Sequence, residues 1–216
     1  MIDTKSRIKQ RYEGGLELNS VPLIHVFDGF ITDAEAESII KLGEGKTRRS
    51  TVSGEAEPVV SATNTGSNYS PLPNTTGTLS VVRKRLCHLV GLPEENAELS
   101  NILYYDVGQE FKPHYDAWLT EDAAGKRNIA LRGQRLLTCL LYLNDVEEGG
   151  YTSFPKLSIE VEPVKGRLLI FNNCVEDSVE RFPESLHASL PVLAGEKWAC
   201  TLWFREFPMT EQRQGK

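Results

Sequence analysis

His114, Tyr115 and Asp116 form a His-x-Asp step that is answered far downstream by His187 and then by Lys197. In an extended strand residues i and i+2 share a face, so His114 and Asp116 are expected to aim an imidazole and a carboxylate at one point. Two histidines with one carboxylate are the ligand set that leaves half of an octahedral Fe(II) sphere open for substrate and O₂. The expected chemistry is oxidative. A lone His-x-Asp is weak, and a lone histidine such as His187 is more often a satisfied structural residue. The joint pattern shifts that balance, because Asp116 sits between an apolar strand and Trp118, where a carboxylate at risk of burial needs a cation or a metal. His25 and His88 have no acidic or histidine partner at ligand spacing and read as structural or surface residues.

Lys197 opens the run Lys197-Trp198-Ala199-Cys200-Thr201-Leu202-Trp203-Phe204. With a period of two, Trp198, Cys200, Leu202 and Phe204 make a core face, while Lys197, Ala199, Thr201 and Trp203 share the other. A cation followed by a small residue, a hydroxyl and an indole suits a pocket wall. A buried ammonium is costly without an anion, and the carboxylate of a ligand is its natural partner.

Elements that must position these residues can be read in two halves. Val21 to Phe30 alternates as a strand, and Thr32-Asp33-Ala34-Glu35 is a capping box that opens a helix through about Leu42, ended by Gly43 and Gly45. Residues 61–78, rich in Ser, Thr, Asn, Pro and Gly, read as a loop that serves as a lid or as a plain connection. Leu79, Val82, Leu86, Leu89 and Val90 recur at helical spacing, with Gly91-Leu92-Pro93 as the stop. From Leu99 onward the pattern changes to short apolar runs at 102–107, 136–143, 151–154, 158–162, 167–172, 187–192 and 197–204, the spacing of a sandwich or barrel. The charged stretch 120–135 interrupts the series and is expected to be a loop. The expectation is one domain over 1–216, mainly β with N-terminal helices: a helical support region at 1–98 and a catalytic core at 99–207.

A chain of 216 residues with 40% hydrophobic and 25% charged side chains is composed like an ordinary globular domain. Its net charge of −6 argues against nucleic acid as the main partner, since phosphate binding needs a clustered basic surface. The one tight basic run, Arg83-Lys84-Arg85, reads as the solvated face of a helix. No segment has the length and composition of a membrane span, the N-terminus is charged, and Cys87, Cys139, Cys174 and Cys200 form no Cys-x-x-Cys pair. No membrane partner and a cytoplasmic location are therefore expected, with the cysteines as small buried hydrophobes.

From about Val21 to Phe204 the chain resembles the iron(II)- and 2-oxoglutarate-dependent oxygenases, and among them the catalytic domain of the prolyl 4-hydroxylases. The resemblance is carried by Tyr105-Asp106-Val107-Gly108-Gln109, His114-Tyr115-Asp116, Arg135-Leu136-Leu137-Thr138 leading into Leu141-Tyr142-Leu143, and Gly149-Gly150-Tyr151-Thr152-Ser153-Phe154-Pro155. It continues through Pro163-Val164-Lys165-Gly166, Leu186-His187-Ala188 and Gly195-Glu196-Lys197-Trp198. It implies a double-stranded β-helix (a jelly-roll, cupin-like), with Fe(II) held by His114, Asp116 and His187. It also implies Lys197 on the distal carboxylate of 2-oxoglutarate, Tyr105 and Thr201 hydrogen-bonding nearby, and Trp203 on the same co-substrate wall. O₂ is the oxidant, succinate and CO₂ are the co-products, and ascorbate is an accessory reductant that the resemblance allows.

The departures bear on substrate. An Arg-Thr-Ser motif common in enzymes acting on peptidyl proline corresponds here to Ser61-Ala62-Thr63-Asn64-Thr65, without the arginine. Phe111 stands where a tyrosine is common, and Tyr151 where a glutamate is frequent, whereas Arg135 matches an arginine associated with substrate contact. Peptidyl proline is the leading substrate expectation. A closed pocket would instead favour a free amino acid or small metabolite, and an open groove flanked by 61–78 and 120–135 a peptide. A non-catalytic jelly-roll binding domain is the rival from another class; loss of a ligand or of Lys197 would have supported it, and all four positions are filled.

Overall fold

In the strand Lys197–Arg205 the two faces part as alternation demands. Trp198, Cys200, Leu202 and Phe204 are buried in the main core, while Lys197, Ala199, Thr201 and Trp203 line an interior cleft. The computed structural model describes residues 4–53, 58–71 and 77–209. This strand lies inside an antiparallel eight-stranded sheet ordered Leu16–Ser20, Leu23–Phe27, Leu168–Asn172, Arg135–Tyr142, Lys197–Arg205, Asn101–Tyr105, Ser67–Tyr69 and Arg48–Arg49. One face is covered by helices α1 (Asp33–Gly43) and α2 (Gly77–Val90), which bring Ala36, Ile39, Leu79, Val82, Leu86 and Val90 against Ile102, Leu137, Leu141 and Phe204. The capping box that opens α1 is formed: Glu35 N–H donates to the Thr32 hydroxyl and the Thr32 N–H to the Glu35 carboxylate. Gly91, at φ +75°, follows α2 in the left-handed conformation that ends helices.

The opposite face packs on a four-stranded sheet ordered Ile159–Val161, Thr152–Phe154, His187–Ser189 and Phe111–His114. Ile24, Val26, Tyr142, Leu169 and Phe171 of the large sheet meet Phe154 and Val161 of the small one in a second core. Two antiparallel sheets closed over such a core make the expected double-stranded β-helix. Pro113 sits in the edge strand Phe111–His114, where its missing N–H breaks no inner ladder.

Four expectations are corrected. The 1–98 region is more than helical support, because Leu16–Ser20, Leu23–Phe27, Arg48–Arg49 and Ser67–Tyr69 all join the large sheet. The 120–135 stretch is not a loop but contains helix α3 (Ala123–Arg132), capped by the Asp122 carboxylate and ended by Gly133 at φ +72°. Its basic and small residues carry no apolar stripe, so only its caps mark it. The 61–78 segment contributes a strand and the start of α2, while residues 72–76 of the expected lid lie outside the described residues. Arg83 and Arg85 are anchored rather than merely solvated: Arg83 donates to the Ala97 carbonyl and pairs with Glu94, and Arg85 pairs with Glu35. The four cysteines are free and buried. Among the described residues no helix is long and apolar enough to cross a membrane.

Candidate active site

His114 and His187 are direct cross-strand partners on the small sheet, which brings their rings together with centroids 4.3 Å apart. The strand ends at His114, so Asp116 does not share its face by pleating as expected. It lies in the bend that follows, which turns its carboxylate back between the two rings. Asp116 Oδ1 is 3.8 Å from His114 Nε2 and Oδ2 is 3.6 Å from His187 Nε2. One ligand atom from each residue lies within 4.8 Å of the others, and these three are the metal-competent cluster among the described residues.

The surroundings prepare these atoms as ligands. His114 Nδ1 is 2.9 Å from the Lys112 carbonyl and His187 Nδ1 is 2.9 Å from the Ser185 carbonyl, an arrangement in which each Nδ1–H donates and each Nε2 keeps its lone pair for a metal. Burial, reinforced by His187, pulls the His114 pKa down to about 3, so its imidazole is neutral. Burial pushes the Asp116 carboxyl up, but His187, His114, Arg135 and a hydrogen bond from Thr138 outweigh it and hold the group ionised. That bond runs from Thr138 Oγ1 to Asp116 Oδ2 at 2.7 Å, and Asn173 Nδ2 donates to Thr138 Oγ1 at 2.9 Å. Phe111 stacks on His114 with centroids 3.4 Å apart and ring planes 11° from parallel. Two imidazoles and an ionised carboxylate converging on one point fit Fe(II), which takes nitrogen and oxygen donors.

A cleft of about 950 Å³ runs past the triad. At its inner end Lys197 is 2% exposed, and its ammonium donates to the Gly150 carbonyl at 2.6 Å and to Ser189 Oγ at 2.8 Å. Among the described residues no carboxylate pairs with it, and burial lowers its pKa to about 7. An anionic ligand would supply the missing charge. Tyr105 and Thr201, both buried, line the cleft beside it; the Tyr105 hydroxyl is hydrogen-bonded to Asn64, and burial pushes its pKa up.

The outer end is different. Arg135 is held by Glu98 through two bonds of 2.7 and 2.8 Å, and its guanidinium lies 4.5 Å from the Trp118 ring centre and 3.8 Å from that of Trp203. Arg205 shares Glu98 and also stacks on Trp118. Trp203, expected beside the co-substrate, stands six residues along the strand from Lys197, about 20 Å at the usual strand rise, and belongs to this outer wall. Motif reading passed over Thr138, Asn173, Glu98, Trp118 and Ser189 as site residues. Their signal was modest: isolated polar or charged side chains within or beside apolar strand runs, as in Leu136-Leu137-Thr138-Cys139-Leu140.

Comparison with known proteins decides the family. Residues 100–205 match the sequence profile of the 2OG-Fe(II) oxygenase superfamily. The chain is 34% identical over 210 residues to a probable prolyl 4-hydroxylase 6 of Arabidopsis thaliana, a match covering 87% of this chain and 70% of that one. The chain belongs to the 2OG-Fe(II) oxygenase superfamily. A second Arabidopsis relative, probable prolyl 4-hydroxylase 7, is 35% identical over 207 residues, covering 87% of this chain and 64% of its own, so the chain spans about two thirds of these relatives. Among solved structures, the 2-oxoglutarate complex of a viral collagen prolyl hydroxylase from Paramecium bursaria Chlorella virus-1 superposes with a TM-score of 0.67 at 25% identity, covering 83% of this chain and 94% of that one. The superfamily uses Fe(II), 2-oxoglutarate and O₂, and the His114–Asp116–His187 triad fits the iron.

Proposed function

We propose that this protein is a 2-oxoglutarate-dependent dioxygenase that hydroxylates peptidyl proline, converting C–H to C–OH while 2-oxoglutarate and O₂ yield succinate and CO₂. One observation carries the reading: a buried ammonium with no carboxylate partner among the described residues and the His114–Asp116–His187 triad face the same cleft. His114, Asp116 and His187 would hold the iron, which supplies O₂ activation coupled to decarboxylation of the 2-oxo acid. Lys197 would bind the distal carboxylate of 2-oxoglutarate, with Tyr105 and Thr201 on the cleft wall beside it. Phe111 would screen His114 from water, and Phe171 and Leu140 form an apolar lining that keeps the reacting centre dry. Arg135, Trp118 and Trp203 would shape the substrate wall.

The prolyl assignment draws on the relatives' names and on the cleft itself, which extends well beyond the volume of a five-carbon acid to Trp118, Arg132 and Met209 at its outer end. A segment of chain fits such a groove better than one free amino acid does. Ascorbate as accessory reductant and the cytoplasm as compartment belong to the same proposal, the second supported by four unpaired cysteines. The test is succinate release with Fe(II) and 2-oxoglutarate, with and without proline-rich peptides. Peptide-stimulated succinate with matching hydroxyproline supports the proposal. Succinate release that no prolyl peptide stimulates removes the proline assignment, and no release under any condition removes the dioxygenase.

A further inference from the structure

Asp116 offers two oxygens to its surroundings, and the protein treats them unequally. Oδ2 accepts the Thr138 hydroxyl at 2.7 Å and lies 3.6 Å from His187 Nε2, whereas Oδ1 lies 3.8 Å from His114 Nε2 and accepts no hydrogen bond among the described residues. The hydroxyl has a single proton, and its direction is set from behind. Asn173 Nδ2 can only donate, and it does so to Thr138 Oγ1 at 2.9 Å, which leaves the Thr138 proton for the carboxylate. Turning the Asn173 amide over would set two acceptors competing for that one proton. The Asn173 main chain is fixed: its backbone N–H donates to the Leu136 carbonyl, and its backbone carbonyl accepts the Phe182 N–H and the Ser185 hydroxyl. Thr138 and Asn173 are buried, and among the described residues Asn173 Oδ1 has no hydrogen-bond partner. The Asn173 amide therefore sets the direction in which the Thr138 hydroxyl points.

We propose that Asn173 and Thr138 are positioning residues that commit Oδ2 of Asp116 to the protein and leave Asp116 a one-oxygen ligand. This rests on the reading of the triad as a metal centre. The consequence is a count of open positions: a 2-oxo acid chelate needs two and O₂ one, and a second carboxylate oxygen on the metal would take one of those three. The relay therefore guards co-substrate binding more than metal binding.

The measurements are Mn(II) affinity, from the electron paramagnetic resonance signal of the free ion, and 2-oxoglutarate affinity of the Mn(II)-loaded protein, with melting of the metal-free protein as a control for folding. In Thr138→Val the 2-oxoglutarate affinity is expected to fall about tenfold or more while Mn(II) affinity changes less than about threefold; Thr138→Ser, which restores the hydroxyl, stays near wild type. Asn173→Ala, which removes only the donor behind Thr138, is expected to lose about threefold in the same affinity and carries the test if Thr138→Val does not fold. Unchanged 2-oxoglutarate affinity in Thr138→Val or Asn173→Ala, or equal losses in the valine and serine variants, overturns the relay. Loss of Mn(II) affinity alone also overturns it, since that is the mark of a partner that only orients the ligand. If the wild-type protein binds no Mn(II), the metal-centre reading fails first and the relay with it.

Discussion

The two ends of the cleft are built on opposite electrostatic terms. At the inner end Lys197 is buried on neutral partners, the Gly150 carbonyl and the Ser189 hydroxyl, and its charged form is disfavoured. At the outer end Arg135 and Arg205 share the Glu98 carboxylate and lie against the Trp118 and Trp203 indoles. A buried cation left without an anion is a cost that an incoming anion or loss of the proton relieves, whereas a cation already matched contributes shape and rigidity. Under the proposed function the inner end would seat the charged co-substrate and the outer end would form the substrate wall of the same cavity.

Breaking the junction between the two ends should have the largest effect. His187→Ala removes a ligand and should cut peptide-dependent succinate formation by on the order of a thousandfold or more, beyond the loss typical of outer-shell partners; activity within tenfold of wild type would place the iron elsewhere. Lys197→Met should raise the 2-oxoglutarate KM by on the order of a hundredfold, the loss of one buried charge pair. The same variant should raise the melting temperature of the co-substrate-free protein by a few degrees, because an uncompensated buried ammonium is gone. A lower melting temperature would mean that the fold, and not a ligand, satisfies Lys197.

The Lys197 pKa of about 7 gives a graded version of that test. Binding an anion requires the ammonium, so above pH 7 the free protein must take up a proton to bind, and apparent 2-oxoglutarate affinity should fall towards about tenfold per pH unit. The sign for stability is opposite. A lysine whose folded pKa lies below its unfolded value disfavours the fold at low pH, and this penalty is relieved as pH rises from about 7 towards 10. The Lys197→Met variant should lose both dependences. The smallest effect belongs to the outer end: Arg135→Ala should raise peptide KM about fivefold and lower stability, since Glu98 keeps only Arg205, while leaving the 2-oxoglutarate KM unchanged. A shift in 2-oxoglutarate KM instead would erase the distinction between the ends.

Much of this was legible in the sequence where a periodicity or a cap carries the physics. The face of Lys197, Ala199, Thr201 and Trp203 follows from period two, and α1 from its capping box. Helix α3 was not legible, because a polar surface helix lacks the apolar stripe that marks most helices. Arg48–Arg49 and Ser67–Tyr69 are too short to show alternation and become strands only by pairing with the sheet edge. Types and spacing nominated His114, Asp116 and His187, but the cross-strand pairing of the histidines and the bend that turns Asp116 towards them are tertiary facts. Thr138 and Asn173 stayed hidden because a polar side chain in an apolar strand reveals its partner only once the two sheets close.

The most direct test is a crystal structure of the protein with Mn(II) and 2-oxoglutarate. The account predicts one metal ion bound by His114 Nε2, His187 Nε2 and a single oxygen of Asp116, with the distal carboxylate of 2-oxoglutarate on Lys197 Nζ. A metal held by other side chains, or 2-oxoglutarate bound away from Lys197, would contradict it.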